Sequence, residues 1–340
     1  MTAKPKKRKP VIAVTIGDPG GIGPEIVARM FARYRPSRSI VLLIGSVRVL
    51  EPLLGRARGR VRRVETQYIR EACDSTRPGH ILVLDTGCRT RYAVGRDSCG
   101  GGRQAGEALD IACQLVDDQR VDGLVTAPVS KRSLILAGYP FTGHTEMFAE
   151  YLRAPDCQMM MVYRKFRVVP LTRHIPVHEV SAALTADRIV TALGVVWRAL
   201  ITDFGIPEPH MAVAALNPHA GEGGMVGREE GDAIEPALRR ARRKGLRITG
   251  PVAGDSLFQQ PANGTFDAFV SMYHDQGLIP FKMAARRRGV NVTVGLPVVR
   301  TSVDHGVAYD IAGKGIASMT SLEAAYRLAE KLVTRRIMSR

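Results

Sequence analysis

Runs of consecutive apolar residues alternate with stretches of helical period along most of the chain. The segments VIAVTIG, IVLLIG, ILVLD, GLVTAPV, MAVAALN, AFVSMY and VNVTVGLP read as strands. Several are apolar enough to be covered on both faces of a sheet. Between them, PEIVARMFARY, GRQAGEALDIACQLVDDQ, TADRIVTALGVVWRALITDFG, EGDAIEPALRRARRKG and SLEAAYRLAEKLVTRRI read as helices. This alternation predicts an α/β fold with a largely parallel or mixed sheet. With 340 residues the chain exceeds one minimal core, so two α/β lobes or one large unit are expected. No internal repeat or low-complexity linker marks a boundary. The expected division gives residues 1–127 and 297–340 to a first lobe and residues 128–296 to a second.

Composition narrows the class. Hydrophobic residues make up 45% of the chain, ordinary for a globular protein, and no run approaches the ~20 apolar residues of a membrane span. The N-terminus, MTAKPKKRKPVIAVTIGDPG, resembles a secretory signal only superficially. Its apolar stretch is six residues, Val11 to Ile16, before Asp18 and the glycines arrive, and no small-residue cleavage site follows. The five cysteines contain no C-x-x-C pair, which argues against a zinc ribbon and a disulfide framework and favours a reducing cytoplasm. A formal charge of +17 raises nucleic-acid binding. Much of that charge lies in the tail (Lys4, Lys6, Lys7, Arg8, Lys9) and in LRRARRK, residues 238–244. No basic strand interleaved with aromatics accompanies it, so solvated charge with attraction for small anions is the preferred account.

Candidate chemistry begins at GDPGGIGPEIV, residues 17–27. Pro24 suits the first turn of a helix, and Glu25 complements the positive helix end. Glycines 20, 21 and 23 permit either a tight turn or close approach to a ligand. The dinucleotide fingerprint G-x-G-x-x-G fails, because its sixth position counted from Gly21 is Ile26. Four of the eight histidines stand where predicted strands or turns end beside small polar residues: His144 in FTGHTEM, His174 in LTRHIPV, His219 in LNPHAGEGG and His274 in MYHDQG. Alone, each reads as a hydrogen-bonded structural histidine. Three converging would bind a divalent metal with positions left open for substrate. No H-E-x-x-H pair supplies that convergence, so the fold must. His80, His178 and His210 lack the same setting.

Lys282 in GLIPFKM and Arg300 in PVVRTS, each bracketed by apolar residues, suit a phosphate or carboxylate partner. Arg286, Arg287 and Arg288 read as solvated surface. In DHGVAYDIAGKGIAS, residues 304–318, glycines 306, 313 and 315 make a loop able to wrap an adenosine. Asp310 can accept hydrogen bonds from ribose hydroxyls, which favours NAD over NADP.

Together these stretches resemble the 4-hydroxythreonine-4-phosphate dehydrogenase family of vitamin B6 synthesis. The resemblance runs in order through GDPGGIGPE, TAPVSK, GHTE, RHIP, NPHAGEGG, YHDQG, GVNVT, GLPVVRTSVDHG and IAGKG. The first and last are also similar to stretches of isopropylmalate and isocitrate dehydrogenases. The resemblance implies two α/β/α lobes with a cleft between them and a non-Rossmann NAD site at His305, Gly306, Asp310 and Gly313. It implies a homodimer with shared active sites, in which His174, His219 and His274 hold a divalent metal, with zinc preferred over magnesium or cobalt. His144, Thr145, Lys282, Asn291 and Arg300 are implied to bind an anionic substrate, and Lys282 and Asp255 to serve catalysis. The implied reaction oxidises the secondary hydroxyl of 4-phosphohydroxy-L-threonine to a β-keto acid that decarboxylates to 3-amino-2-oxopropyl phosphate. Paralogues acting on phosphorylated four-carbon sugar acids of the erythronate or threonate type, or on aromatic cis-dihydrodiols, are the alternative. QMMMVYRKFRVVPLTRH is more basic than the vitamin B6 enzyme leads one to expect.

Overall fold

The computed structural model describes residues 9–77, 79–141, 143–259 and 264–338. The basic tail residues Lys4, Lys6, Lys7 and Arg8 fall outside them. The chain divides into two compact units, Met1–Arg153 with Pro297–Thr334 and Ala154–Leu296 with Arg335–Arg340. Among the described residues twelve strands follow in chain order: β1 (Val11–Thr15), β2 (Ile40–Gly45), β3 (Val61–Val64), β4 (Ile81–Asp85), β5 (Gly123–Thr126), β6 (Gln158–Tyr163), β7 (Phe166–Pro170), β8 (His210–Ala214), β9 (Arg247–Val252), β10 (Ala268–Ser271), β11 (Val290–Val294) and β12 (Val299–Val303). No single helix among the described residues is long and apolar enough to cross a membrane.

In the first unit the strands lie in the order β3-β4-β2-β1-β5-β12, all parallel. Every residue of β1 and β2 is buried, as their unbroken apolar runs require of a sheet covered on both faces. Helix Gly23–Arg33 carries Pro24 in its first turn and buries Ile26, Val27, Met30 and Phe31. Helix Thr320–Met338 returns from β12 and buries Leu322, Tyr326, Ala329 and Val333. Its Tyr326 meets Phe31 edge to face at 5.4 Å and shares a 2.8 Å hydrogen bond with Ser39.

This unit runs to residue 153, beyond the expected boundary at 127, because the segment after β5 packs back on helix Cys99–Asp117. A Cβ on Gly102 would stand 1.8 Å from the carbonyl oxygen of Ser133, and one on Gly106 would stand 2.1 Å from the Tyr139 ring. The hydroxyls of Tyr139 and Tyr151 both donate to Asp110, at 2.9 and 3.0 Å. At the other end, residues from Arg335 onward belong to the second unit instead of the first. There the Arg336 guanidinium grips Asp203 through Nε at 2.7 Å and Nη2 at 2.9 Å, and Arg335 donates to the carbonyl of Phe204.

The second unit orders its strands β11-β6-β7-β10-β8-β9. β6 is antiparallel to both neighbours, while β7-β10, β10-β8 and β8-β9 pair in parallel. Phe166, Phe269 and Phe281 fill the core on one face, with ring centroids 5.3 to 5.7 Å apart. Helix Glu235–Arg243 carries most of the LRRARRK cluster. Its Leu238 is buried, Arg240 pairs with Asp187 at 2.6 Å, and Arg242 donates to the carbonyls of Ile248 and Gly250.

Candidate active site

Three adjacent parallel strands of the second unit, β7-β10-β8, each lead at their C-terminal ends into a histidine: His174 beyond Pro170, His274 beyond Ser271 and His219 beyond Ala214. The pairing of β7 with β10 continues past the strands. Leu171 N donates to Ser271 O at 2.9 Å and Thr172 N to Met272 O at 3.1 Å. Those bonds carry His174 and His274 out side by side, with ring centroids 6.0 Å apart.

His274 opens helix His274–Ala285, and each later residue of YHDQG has a task. Asp275 Oδ1 lies 2.6 Å from His274 Nδ1; a proton on Nδ1 leaves Nε2 with the lone pair a metal requires. Gln276 accepts from Met272 N and donates to Ala215 O, both at 2.7 Å, which ties the end of β10 to the end of β8. Gly277 admits no side chain, since its Cβ would stand 2.4 Å from Ser271 Oγ and 2.6 Å from Val168 Cγ1.

His219 sits in Pro218–Gly224, where five successive residues from His219 to Gly223 have φ between 42° and 78°. For the non-glycine members this left-handed backbone costs about 1–2 kcal/mol each. The buried Glu230 holds the loop by accepting from Leu216 N and Asn217 N at 2.8 Å and from Asn217 Nδ2 at 2.9 Å. Glu229 also accepts from Asn217, at 2.7 Å. Hydrogen bonds from Ser181 and Asn217 hold the Glu229 carboxyl below its ordinary pKa. Neither glutamate was singled out from the sequence. Asp255 lies in the short helix Gly254–Leu257, which packs against the His219 segment. It lines a pocket of about 370 Å³ with Tyr273, Asp275 and Gln276.

His174 and His274 therefore come together on one chain, and no group of three His, Cys, Asp or Glu side chains able to hold a metal forms among the described residues. The donors present fit a divalent ion of imidazole preference. His178 stands at His-x₃-His spacing from His174, yet it is exposed and lies 3.7 Å from Glu179.

The anion-binding candidates lie in separate elements. Lys282 is exposed in the last turn of helix His274–Ala285. Asn291, in β11, has a buried Oδ1 with no hydrogen-bond partner. Arg300, only 1% exposed, lies inside β12 opposite Leu124 of β5. Its Nη2 donates to Thr126 Oγ1 at 2.6 Å, and its guanidinium lies 5.5 Å over the Phe148 ring. His144 and Thr145 begin helix His144–Tyr151, and the His144 ring stacks on Phe148. His144 Nε2 is buried without a hydrogen-bond partner. Burial, and then the charge of Arg300, hold His144 well below the usual histidine pKa, so it is neutral. A neutral imidazole beside a permanently charged guanidinium suits a polar, anionic ligand.

The 304–318 segment folds onto the GDPGG turn. Ile22 N donates to Val307 O at 3.0 Å, and a Cβ on Gly21 would stand 2.8 Å from that same oxygen. Arg29 Nη1 donates to the carbonyls of Gly315 and Ala317 at 2.9 and 2.8 Å. His305, Gly306, Asp310 and Gly313 thus share one ordered segment, with Asp310 exposed and Gly313 at φ 73°.

Candidate side chains at the C-terminal ends of parallel strands fit an α/β protein of the ligand-binding class, since open α/β sheets bind their ligands at that edge. Within that class the chain belongs to the family of the pyridoxal phosphate biosynthetic protein PdxA, whose model matches residues 37–329. It is 43% identical over 326 residues to a 4-hydroxythreonine-4-phosphate dehydrogenase of Desulforapulum autotrophicum, covering 94% of this chain and 95% of that one. It is 40% identical over 329 residues to a putative D-threonate 4-phosphate dehydrogenase of Halalkalibacterium halodurans, covering 95% and 97%. The crystal structure of 4-hydroxythreonine-4-phosphate dehydrogenase from Klebsiella pneumoniae superposes with a TM-score of 0.85 at 36% identity, covering 97% of this chain and 99% of that one.

Proposed function

We propose that this protein is an NAD-dependent, divalent-metal-dependent dehydrogenase of pyridoxal phosphate synthesis. It oxidises the secondary hydroxyl of 4-phosphohydroxy-L-threonine to a β-keto acid, which decarboxylates to 3-amino-2-oxopropyl phosphate. The observation that carries this reading is the placement of His174, His219 and His274 beyond the ends of three adjacent parallel strands, in a chain 43% identical to an enzyme named for that substrate. A divalent ion held by the histidines would supply Lewis-acid polarisation of the substrate hydroxyl, and NAD held by the 304–318 segment would supply the hydride acceptor.

The chain's own residues do the rest. His174, His219 and His274 hold the ion, with Asp275 fixing the His274 ring and Glu230 fixing the His219 loop. Arg300 supplies fixed positive charge for an anionic substrate group, and neutral His144 with Thr145 and Asn291 supplies hydrogen bonds. Lys282 reaches an anionic end of the substrate from its exposed helix position, and Asp255 takes or returns a proton. His305, Gly306, Asp310 and Gly313 receive the dinucleotide, with Asp310 on a ribose.

The active site is shared by two copies of the chain. This rests on exposed apolar side chains in the segments that follow the histidines along the chain: Val177 (79% exposed) after His174, Met225 (81%) after His219, and Ile279 (59%) and Met283 (74%) after His274. Exposed apolar side chains of this size suit an association surface.

The deciding experiment measures NAD reduction by purified protein with 4-phosphohydroxy-L-threonine, with and without chelator. Chelator-sensitive turnover is expected, and His219→Ala should lose bound metal and activity together. An active, metal-free His219→Ala protein would refute the ligand assignment. A second reading, oxidation of a phosphorylated four-carbon sugar acid, is favoured by the 40% identity to the putative D-threonate 4-phosphate dehydrogenase. Turnover of D-threonate 4-phosphate in place of the amino acid would establish it.

A further inference from the structure

A partly buried hydroxyl network links the 304–318 segment to the turn after β1. Tyr309 OH stands 2.8 Å from Asp18 Oδ2, 3.1 Å from Asp97 Oδ1 and 3.0 Å from Ser133 Oγ. Ser130 donates to Asp97, and Asp18 Oδ1 accepts from Gly20 N at 2.8 Å. Each hydroxyl has one proton to give, and one assignment places all three without conflict. Tyr309 donates to Asp18, Ser133 donates to the Tyr309 oxygen, and Ser130 donates to Asp97. Hydrogen bonding from Ser130 keeps Asp97 below its ordinary carboxyl pKa. Burial pushes the Tyr309 phenol above its own, so it remains protonated. Asp18 is 1% exposed, so the Tyr309 proton is what satisfies the second oxygen of a carboxylate cut off from water.

The partners of Tyr309 come from three places in the chain. Asp18 belongs to the turn after β1. Asp97 stands just before helix Cys99–Asp117, and Ser133 lies in helix Lys131–Leu136. Tyr309 itself begins the short turn Tyr309–Ile311, directly after Ala308 at φ 45° and directly before Asp310. One hydroxyl therefore fixes the middle of a segment that is also held at Asp304, at Val307 and at Gly315–Ala317.

We infer that the Tyr309 hydroxyl is a positioning residue for the dinucleotide, a latch that sets Asp310 and Gly313 in their binding conformation by docking the segment on Asp18. The inference rests on the NAD reading above. Without the hydroxyl, Asp18 keeps a buried oxygen unsatisfied and the segment is free to lift, so ordering it becomes part of the cost of binding NAD.

The test is Tyr309→Phe, which keeps the ring and removes only the oxygen. Titration of wild type with NAD comes first, by calorimetry. The variant should then bind NAD about tenfold more weakly and show a KM for NAD raised to match, with KM for the phosphorylated substrate and bound metal unchanged. Amide hydrogen exchange in residues 305–315 should accelerate about tenfold while β1 and β5 stay protected. If the variant does not fold, Asp18→Ser, whose hydroxyl can still accept from Gly20 N while the carboxylate oxygen facing Tyr309 is gone, should show the same selective loss. Equal NAD affinity in wild type and variant overturns the latch and leaves the NAD reading standing. A wild type that binds no NAD overturns both. An even loss across NAD, substrate and thermal stability would make Tyr309 a structural residue only.

Discussion

His144 shows how burial sets chemistry. Its Nε2 is enclosed without a partner, and burial together with Arg300 lowers its pKa well below the ordinary 6.5. The sign of the consequence follows from linkage. The unfolded chain takes up the His144 proton near pH 6.5 while the folded chain resists it, so this contribution to stability is whole above 6.5 and declines as pH falls towards the folded pKa. The decline can reach ~1.4 kcal/mol per pH unit for one proton. Urea midpoints measured at pH 7.5 and pH 5 should therefore separate more in wild type than in His144→Gln. An identical separation in both would show that His144 titrates normally. The same residue was legible in the sequence only as a histidine before a short polar stretch, because its two perturbers, Arg300 and the stacked Phe148, act through the fold.

At the scale of elements, close approach decides what substitution costs. Gly277→Ala places a methyl 2.4 Å from Ser271 Oγ and 2.6 Å from Val168 Cγ1, so helix His274–Ala285 must retreat from β10 and β7. Overpacking of this kind costs about 1–3 kcal/mol, and the retreat carries His274 away from His174. Thermal unfolding should fall by several degrees, and zinc affinity should drop more than tenfold in a titration against a chromophoric chelator. A variant with full zinc affinity would show that the helix position is not what sets the pair. That helix was not read from sequence, since Pro280 stands inside it and apolar residues are spread around it without a strong stripe. The fully buried strands β1 and β2 were legible because their apolar runs are unbroken. β6 and β7 were not, because Arg164 and Lys165 in their turn make the stretch look basic and irregular. Without β7 the sequence cannot say that His174 and His274 leave neighbouring strands. Glu230, Gln276 and Tyr309 were invisible for a related reason: their partners are brought to them from other segments by the fold, and for Tyr309 and Asp18 the separation is 291 residues.

At the scale of the whole molecule, the candidate residues divide between the two units. The second carries the three histidines, Asp255, Lys282 and Asn291, and the first carries Arg300, His144 and the 304–318 segment. The exposed Met225 and Met283 lie on the His219 loop's continuation and on the His274 helix, so a partner copy covering them would bury apolar surface on the elements that carry two of the proposed metal ligands. A two-fold interface presents each substitution twice. Replacing both methionines by aspartate therefore brings four new carboxylates to one interface, where like charges in juxtaposition cost several kcal/mol. Sedimentation velocity should find wild type as a dimer and Met225→Asp/Met283→Asp as a monomer with unchanged far-ultraviolet circular dichroism. Turnover should fall at least a hundredfold in that monomer, because a shared site then lacks its second half. Full activity in a monomeric variant would mean that each chain completes its own site, and the shared-site part of the proposal would fall while the dehydrogenase reading stood.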